Sequence, residues 1–274
     1  MATNFPASLD TLTNPSATDT LDSPPHDEQH ADANDAIEAL QAKVGVDGSA
    51  VTTSIDYQLN TGYRYHSTVY FTSSGSFTKA SYPWLRAVRV KVVGAGGGGS
   101  GTTGSTDAAG GGGGGGGYAE GFITDIAGLA ASVTVTVGSG GAGSANNGPN
   151  GVAGGSSSFG ALLTAAGGGG SESNGRGGDG GTTGGTDLDL GITGGDGANG
   201  AANSYNAPGG HGGPSQLGTG GQGGRLGFAG PNAVGENGEG YGGGGGGASQ
   251  VAADSSDNAG GNGKPGIVIV ELYA

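Results

Sequence analysis

The sequence predicts a mainly β and irregular fold. An N-terminal extended arm and a short α-helix precede a small β-sheet, which anchors a glycine-rich bundle of polyglycine-II helices. Three observations carry this reading. Glycine makes up 70 of 274 residues and crowds into positions 94–266, with unbroken runs at 110–117 and 242–247. Average usage is about 7 %, so this stretch has too few side chains to build an ordinary core. Charged residues are only 12 % of the chain, and clean Val/Ile strands bracket the glycine regions. Disordered segments are instead rich in charge and poor in β-branched residues.

Residues 1–23 hold Pro6, Pro15 and many Thr, Ser, Asp and Asn, which reads as an extended arm. Ser23-Pro24-Pro25 then opens a helical pattern over 27–44, with prolines suited to a first turn. Ala33, Ala36, Ile37, Leu40 and Val44 recur at three- and four-residue spacing and form one narrow stripe. Gly45 is the expected terminator. A helix this short is not stable alone. Ile37, Leu40 and Val44 are therefore candidate residues for attachment or oligomerisation. Residues 46–60 read as a connector with an Asp47-Gly48 turn, giving a first domain of 1–60 and a second of 61–274.

A strand is expected over 63–72, and Phe71 to Thr78 reads as a hairpin with Gly75 near its turn. Val88-Arg89-Val90-Lys91-Val92 alternates valines with cations, and Val133-Thr134-Val135-Thr136-Val137 alternates likewise. Phe122-Ile123 and 159–163 are weaker strand signals. Residues 267–273 form a continuous apolar strand of the buried type. One sheet gathering these strands is the simplest arrangement, with glycine-rich excursions running out and back.

Ordering backbone costs about 1–2 kcal/mol per residue. An ordered glycine region must therefore recover free energy from backbone hydrogen bonds and close contacts. A polyproline-II-type helix has three residues per turn and directs its N–H and C=O groups outward. Such helices bond side by side where facing positions lack Cβ atoms. A Gly-Gly-x beat of three appears at Gly177-Gly178-Asp179, Gly209-Gly210-His211 and Gly220-Gly221-Gln222. It is too short and broken for a collagen triple helix. Turns are expected at Asn147-Gly148, Asn150-Gly151, Asn174-Gly175, Asn199-Gly200 and Asn237-Gly238.

The chemistry points away from catalysis. The formal net charge is −14, which disfavours nucleic acid and anionic membrane surfaces. No cysteine is present, and no apolar run approaches the ~18 residues of a membrane span. The amino terminus shows neither a basic nor an apolar leader pattern, so no cleaved secretory signal is expected. Gly94 to Gly99 satisfies a dinucleotide-binding pattern, but no helix pattern follows it. The four histidines are scattered; His26 and His30 share a helix spacing without a third ligand nearby, so no metal is assigned. Asp187-Leu188-Asp189 with Asp254 and Asp257 lacks the regular calcium repeat, and calcium at one loop stays open. Neither an enzyme nor a cofactor is expected.

Several segments carry a resemblance. Phe71-Thr72-Ser73-Ser74-Gly75-Ser76-Phe77-Thr78, followed by Val88 to Gly99, resembles the entry to glycine-rich domains of bacteriophage tail-fibre and related virion proteins. Gly117-Tyr118-Ala119-Glu120-Gly121 and the closing Gly263-Lys264-Pro265-Gly266-Ile267 fit the same pattern. Phe5-Pro6-Ala7-Ser8-Leu9-Asp10 with His30-Ala31-Asp32-Ala33-Asn34 looks like the leader of phage structural proteins. The resemblance implies a virion fibre protein, a homotrimer by analogy, attached to other virion proteins through its N-terminal region. A host-surface glycan or protein is the implied partner. Candidate receptor-binding residues are Asn174, Tyr205, Asn206, His211, Arg225, Phe228 and Tyr241, polar or aromatic groups in glycine surroundings. A purely structural decoration fibre is the alternative. An ice-binding protein fits less well, because the x positions include Asp, His, Gln and Arg.

Overall fold

The computed structural model describes residues 26–102, 108–145, 150–201, 207–225, 234–250 and 257–274. The N-terminal arm and the Asn147-Gly148 turn lie outside the described residues. Among the described residues the fold is mixed α/β, with two α-helices and two open five-stranded antiparallel sheets. The chain divides at Arg64/Tyr65 into two compact units.

In the first unit, helix α1 spans His26–Val44 and ends where the Gly45 N–H bonds the Gln41 carbonyl at 2.7 Å. Gly45 stands at φ +87°, as a C-terminal glycine should. The Asp47-Gly48 turn forms, with the Ser49 N–H on the Val46 carbonyl at 2.9 Å. The expected connector also contains a second helix, α2 (Ile55–Thr61). The Ser54 hydroxyl caps it by accepting the Tyr57 N–H at 3.2 Å. Only seven residues long and without a buried side chain, α2 leaves no apolar stripe in the sequence to announce it.

The second unit contains strands β1 (Tyr65–Phe71), β2 (Gly75–Thr78), β3 (Ala87–Val93), β4 (Ala108–Ala109), β5 (Tyr118–Ile123) and β6 (Ser132–Thr136). They are followed by β7 (Ser157–Phe159), β8 (Leu163–Ala165), β9 (Thr183–Gly184), β10 (Leu190–Ile192), β11 (Ser249–Gln250) and β12 (Ile267–Tyr273). One sheet has the order β1-β12-β3-β5-β10 and the other β2-β6-β7-β8-β9, while β4 and β11 form a separate two-stranded ladder. Two expectations are corrected here. The strands form two layers instead of one sheet, and β1 and β2 are no hairpin: β1 pairs with β12 and β2 with β6. The chain crosses between layers so that Phe77 enters the core, where it is 1 % exposed. Between the sheets lie Val88, Val90, Val92 and Val270 from one layer and Val135, Phe159 and Leu163 from the other. Strand β12 alternates where burial on both faces was expected, because only one of its faces is covered: Ile269, Glu271 and Tyr273 stay half-buried on the open side.

Beyond the sheets, extended segments run alternately away and back, at 94–102, 110–117, 139–145, 150–155, 166–171, 176–182, 193–200, 208–214, 219–225, 235–239, 242–248 and 258–265. Their amides bond laterally in a repeat of three. The N–H groups of Gly94, Gly97 and Ser100 donate to the carbonyls of Gly117, Gly114 and Gly111. Those of Ala95 and Gly98 donate to Gly155 and Val152, and those of Gly96, Gly99 and Thr102 to Lys264, Gly261 and Asn258. Carbonyls of the same segment accept from 141–144, 168–171 and 245–248, so it has six neighbours. Segments 110–117 and 242–248 are likewise surrounded, and the three touch one another. The remaining nine described segments ring them.

Main chain therefore packs on main chain. A Cβ on Gly112 would lie 2.1 Å from the His211 carbonyl oxygen, and one on Gly244 2.2 Å from that of Gly113. The larger side chains of several ring segments stand in an outer column, while small ones such as Ser144 and Ser171 are accommodated inside. Arg176, Asp179 and Thr182 are exposed at every third position, as are Thr219, Gln222 and Arg225. The Gly-Gly-x beat is thus an inward-inward-outward code. Among the described Asn-Gly pairs only Asn174-Gly175 is a turn, with Gly175 at φ +87°. Gly151, Gly200 and Gly238 instead donate laterally to Ser171, Gly175 and Asn262. Several Asn side chains replace a missing backbone acceptor: Asn199 Oδ1 takes the Gly177 N–H at 2.8 Å, and Asn237 Oδ1 the Asn262 N–H at 2.7 Å.

At the junction of sheet and array, the buried Tyr118 hydroxyl donates to Glu120 Oε2 at 2.5 Å. Burial, and then the Glu120 carboxylate, push its phenol pKa above the ordinary value of about 10. The folded state thus holds this proton more tightly than the unfolded chain. Its contribution is complete below about pH 10 and is lost as pH rises further. An absorbance titration should show Tyr118 still un-ionised above pH 10, and Tyr118→Phe should shrink the late component, leaving the part due to Tyr273, whose phenol burial and Glu271 also push up.

Candidate functional site

Segments that leave the sheets must turn at the far end of the array, and the residues there form the candidate site. The described residues flanking 103–107, 146–149, 202–206, 226–233 and 251–256 all lie at this end. Lateral bonds hold them together. The Thr102 N–H reaches the Asn258 carbonyl at 2.9 Å, the Gly224 N–H that of Gly247 at 2.8 Å, and the Gly235 N–H that of Ala259 at 2.9 Å. Ladder β4–β11 belongs to the same end, with Ser249 opposite Ala109. The Ser249 hydroxyl donates to the Ala207 carbonyl, and Asn258 Nδ2 to the Ser249 carbonyl at 3.2 Å.

The turn at 172–175 is described throughout. The Gly175 N–H closes it on the Glu172 carbonyl at 3.1 Å. Asn174 donates from Nδ2 to Glu172 Oε2 at 2.9 Å and accepts the Arg176 N–H at 2.9 Å. The Arg176 guanidinium bridges Glu172 Oε1 at 3.1 Å and Asp179 Oδ1 at 2.8 Å. These ion pairs are exposed and contribute little to stability. They do hold a cation and two carboxylates in fixed positions at the surface. Sequence reading selected Asn174 and passed over Glu172, Arg176 and Asp179; the i,i+4 spacing of Glu172 and Arg176 was the available signal.

The sequence-selected residues are not brought together as one site. Asn174 and Arg225 are exposed and belong to the far end. Tyr205, Asn206 and Phe228 lie outside the described residues, although their flanking residues are at that end. His211 is exposed midway along the flank, where its Nδ1 accepts the Gly223 N–H at 3.4 Å. Tyr241 is at the opposite end, half-buried against Val93, Tyr118 and Ile267. In the first unit, Ile37, Leu40 and Val44 are 53 %, 52 % and 46 % exposed, an apolar stripe open to solvent.

Several charged groups are engaged in structural contacts. Lys79 Nζ donates to the carbonyls of Ile126 at 2.8 Å and Leu129 at 2.7 Å. Asp189 accepts the Phe122 N–H at 2.7 Å, and Asp187 accepts the Thr186 hydroxyl at 2.8 Å. Asp254 lies outside the described residues. Among the described residues no group of three His, Cys, Asp or Glu side chains is placed to hold a metal ion. Among them, too, no helix is long and apolar enough to cross a membrane.

Two comparisons bear on kinship. A family model described as a glycine-rich domain matches residues 72–273. No curated protein sequence matches the chain.

Proposed function

The chain belongs to the glycine-rich domain family, and from that premise we propose that it is a non-enzymatic bacteriophage virion fibre or adhesin. Its glycine segments form a polyglycine-II bundle. The three-residue repeat of lateral bonds and the six-fold surrounding of 94–102 support that conformation. The bundle is a rigid stalk on a β-sandwich base. The exposed stripe of Ile37, Leu40 and Val44 docks the N-terminal region on other virion proteins or on sister chains. The far end meets a host-surface glycan or protein.

One observation carries this reading: the segments of the array hold polar and charged connections, such as Glu172 to Arg176, in fixed positions at the end remote from the sheets. Loops on a rigid scaffold lose little entropy on binding and tolerate sequence change. Asn174, Arg225 and the stretches holding Tyr205, Asn206 and Phe228 all begin or end there. Fluorescently labelled protein should be retained on host cells and should reduce phage adsorption. Exchanging the turn residues Asn174 and Arg176 together for Ala should lower retention without changing the melting temperature. Labelled protein that neither binds cells nor competes with phage contradicts the receptor role and leaves a structural decoration.

A further inference from the structure

An asparagine followed by glycine is open to attack by its own main chain, because glycine has no Cβ to shield the attacking nitrogen. Five such pairs lie within the described residues: Asn150-Gly151, Asn174-Gly175, Asn199-Gly200, Asn237-Gly238 and Asn262-Gly263. The array separates the reacting atoms in four of them. Oδ1 of Asn150 and Asn199 accepts the N–H of Ser173 and Gly177, each at 2.8 Å. Oδ1 of Asn237 and Asn262 accepts the N–H of Asn262 and Gly143, each at 2.7 Å. The glycine nitrogens that would attack are committed as well. Gly151 donates to Ser171, Gly238 to Asn262 and Gly263 to Gly141 at 2.9 Å, and Gly200 to Gly175 at 2.8 Å. Each carboxamide thus reaches out to one stretch of chain while the next amide bonds laterally.

Asn174 is held differently. Its Oδ1 accepts the Arg176 N–H and its Nδ2 donates to Glu172 Oε2, both at 2.9 Å, so the carboxamide stays on its own turn. The ring closed by the first of these bonds contains both the carboxamide carbon and the Gly175 nitrogen. The Gly175 N–H donates to the Glu172 carbonyl at 3.1 Å, three residues back in the same turn. Breaking that bond needs motion only within 172–175. Freeing Gly151, Gly200, Gly238 or Gly263 needs lateral bonds between separate stretches to part. Local openings cost far less than openings of a cooperative unit. Asn174 is also exposed, so water reaches its side chain.

We propose that Asn174-Gly175 is a self-modification site, at which the native chain converts Asn174 to aspartate and isoaspartate. The Gly175 nitrogen gives its proton to hydroxide and bonds to the Asn174 side-chain carbonyl carbon. The bond from that carbon to Nδ2 breaks, and Nδ2 takes a proton from water and leaves as ammonia. Water then opens the cyclic imide at either carbonyl, and nothing is oxidised or reduced. The new carboxylate replaces the donor that faced Glu172. Arg176, which bridges Glu172 and Asp179, then stands among three carboxylates instead of two. The reaction goes beyond the fibre reading and is independent of what the far end binds.

The full chain, kept folded at mildly alkaline pH, can be digested and mapped by mass spectrometry together with enzymatic methylation of isoaspartate. Acid should replace amide at Asn174 first, at least about tenfold faster than at Asn150, Asn199, Asn237 or Asn262. The same chain in guanidinium should convert all five pairs at comparable rates, which sets the clock. Asn174→Gln, whose longer side chain closes the ring poorly, should remove the early isoaspartate from that peptide. Asn174 that stays intact in the folded chain while the denatured chain converts overturns the proposal. So does conversion of the other four pairs at the Asn174 rate in the folded chain.

Discussion

Gly112→Val should destabilise the glycine array strongly while Gly75→Ala leaves its stability unchanged. Gly112 serves three segments at once. Its N–H donates to Ala198 at 2.9 Å, its carbonyl accepts the Gly178 N–H at 2.9 Å, and its Cα faces the His211 carbonyl. A Cβ there would lie 2.1 Å from that oxygen and 2.4 Å from its carbon. Side-chain cores absorb an added methyl group by changing rotamers, but a backbone wall has none to change. Overpacking in ordinary cores costs about 1–3 kcal/mol, and this site should reach at least the upper figure. For a unit of this size each kcal/mol lowers Tm by roughly 2–4 °C, so a fall of about 10 °C is expected by calorimetry. Gly244→Val should behave alike, since its Cβ meets the Gly113 oxygen at 2.2 Å. At Gly75 the nearest atom is Phe71 Cδ1 at 3.7 Å, an ordinary contact, so Ala there should shift Tm very little. Unchanged melting in both Val variants would contradict the packing.

Phe159→Ala should cost about 3–5 kcal/mol, the range for truncating a fully buried Phe. Phe159 has no exposed surface and packs against Phe77 with ring centroids 5.6 Å apart. It contributes from β7 to the core where oily side chains of both sheets meet. Nothing in the array replaces that contribution, because its interior is backbone. The sheets fix where segments 94–102, 110–117 and 258–265 begin or end. Loss at Phe159 should therefore lower stability in the array too, in a single transition. If chemical denaturation of Phe159→Ala gave an unchanged midpoint, or melted the sheets while the array persisted, the base would not be what organises the segments.

Much of this architecture was legible because it rests on alternation and on the glycine beat. Val88, Val90 and Val92 fixed the inner face of β3, with Arg89 and Lys91 outward. Asp179 and Gln222 stood at the x positions that point to solvent. What stayed hidden has a physical reason. Glycine has no side chain to record its neighbours, so nothing local tells Gly112 that it faces His211, Ala198 and Gly178. The division into two layers was hidden likewise, since Phe71 and Phe77 read as one hairpin until their partners, β12 and β6, are known. Asn-Gly pairs announce turns, yet at Asn199 and Asn237 the amide oxygen is used as a substitute carbonyl within straight segments. In the candidate site, Asn174 was found through its turn, whereas Arg176 became visible only once Glu172 and Asp179 were placed around it.

Native-state amide hydrogen exchange tests most directly whether backbone holds backbone here. Amides at 94–102, 110–117 and 242–248, each surrounded on all sides, should exchange as slowly as those of β3 and β12. Exchange of those glycines as fast as in an unstructured peptide, with β3 and β12 still protected, would contradict the account.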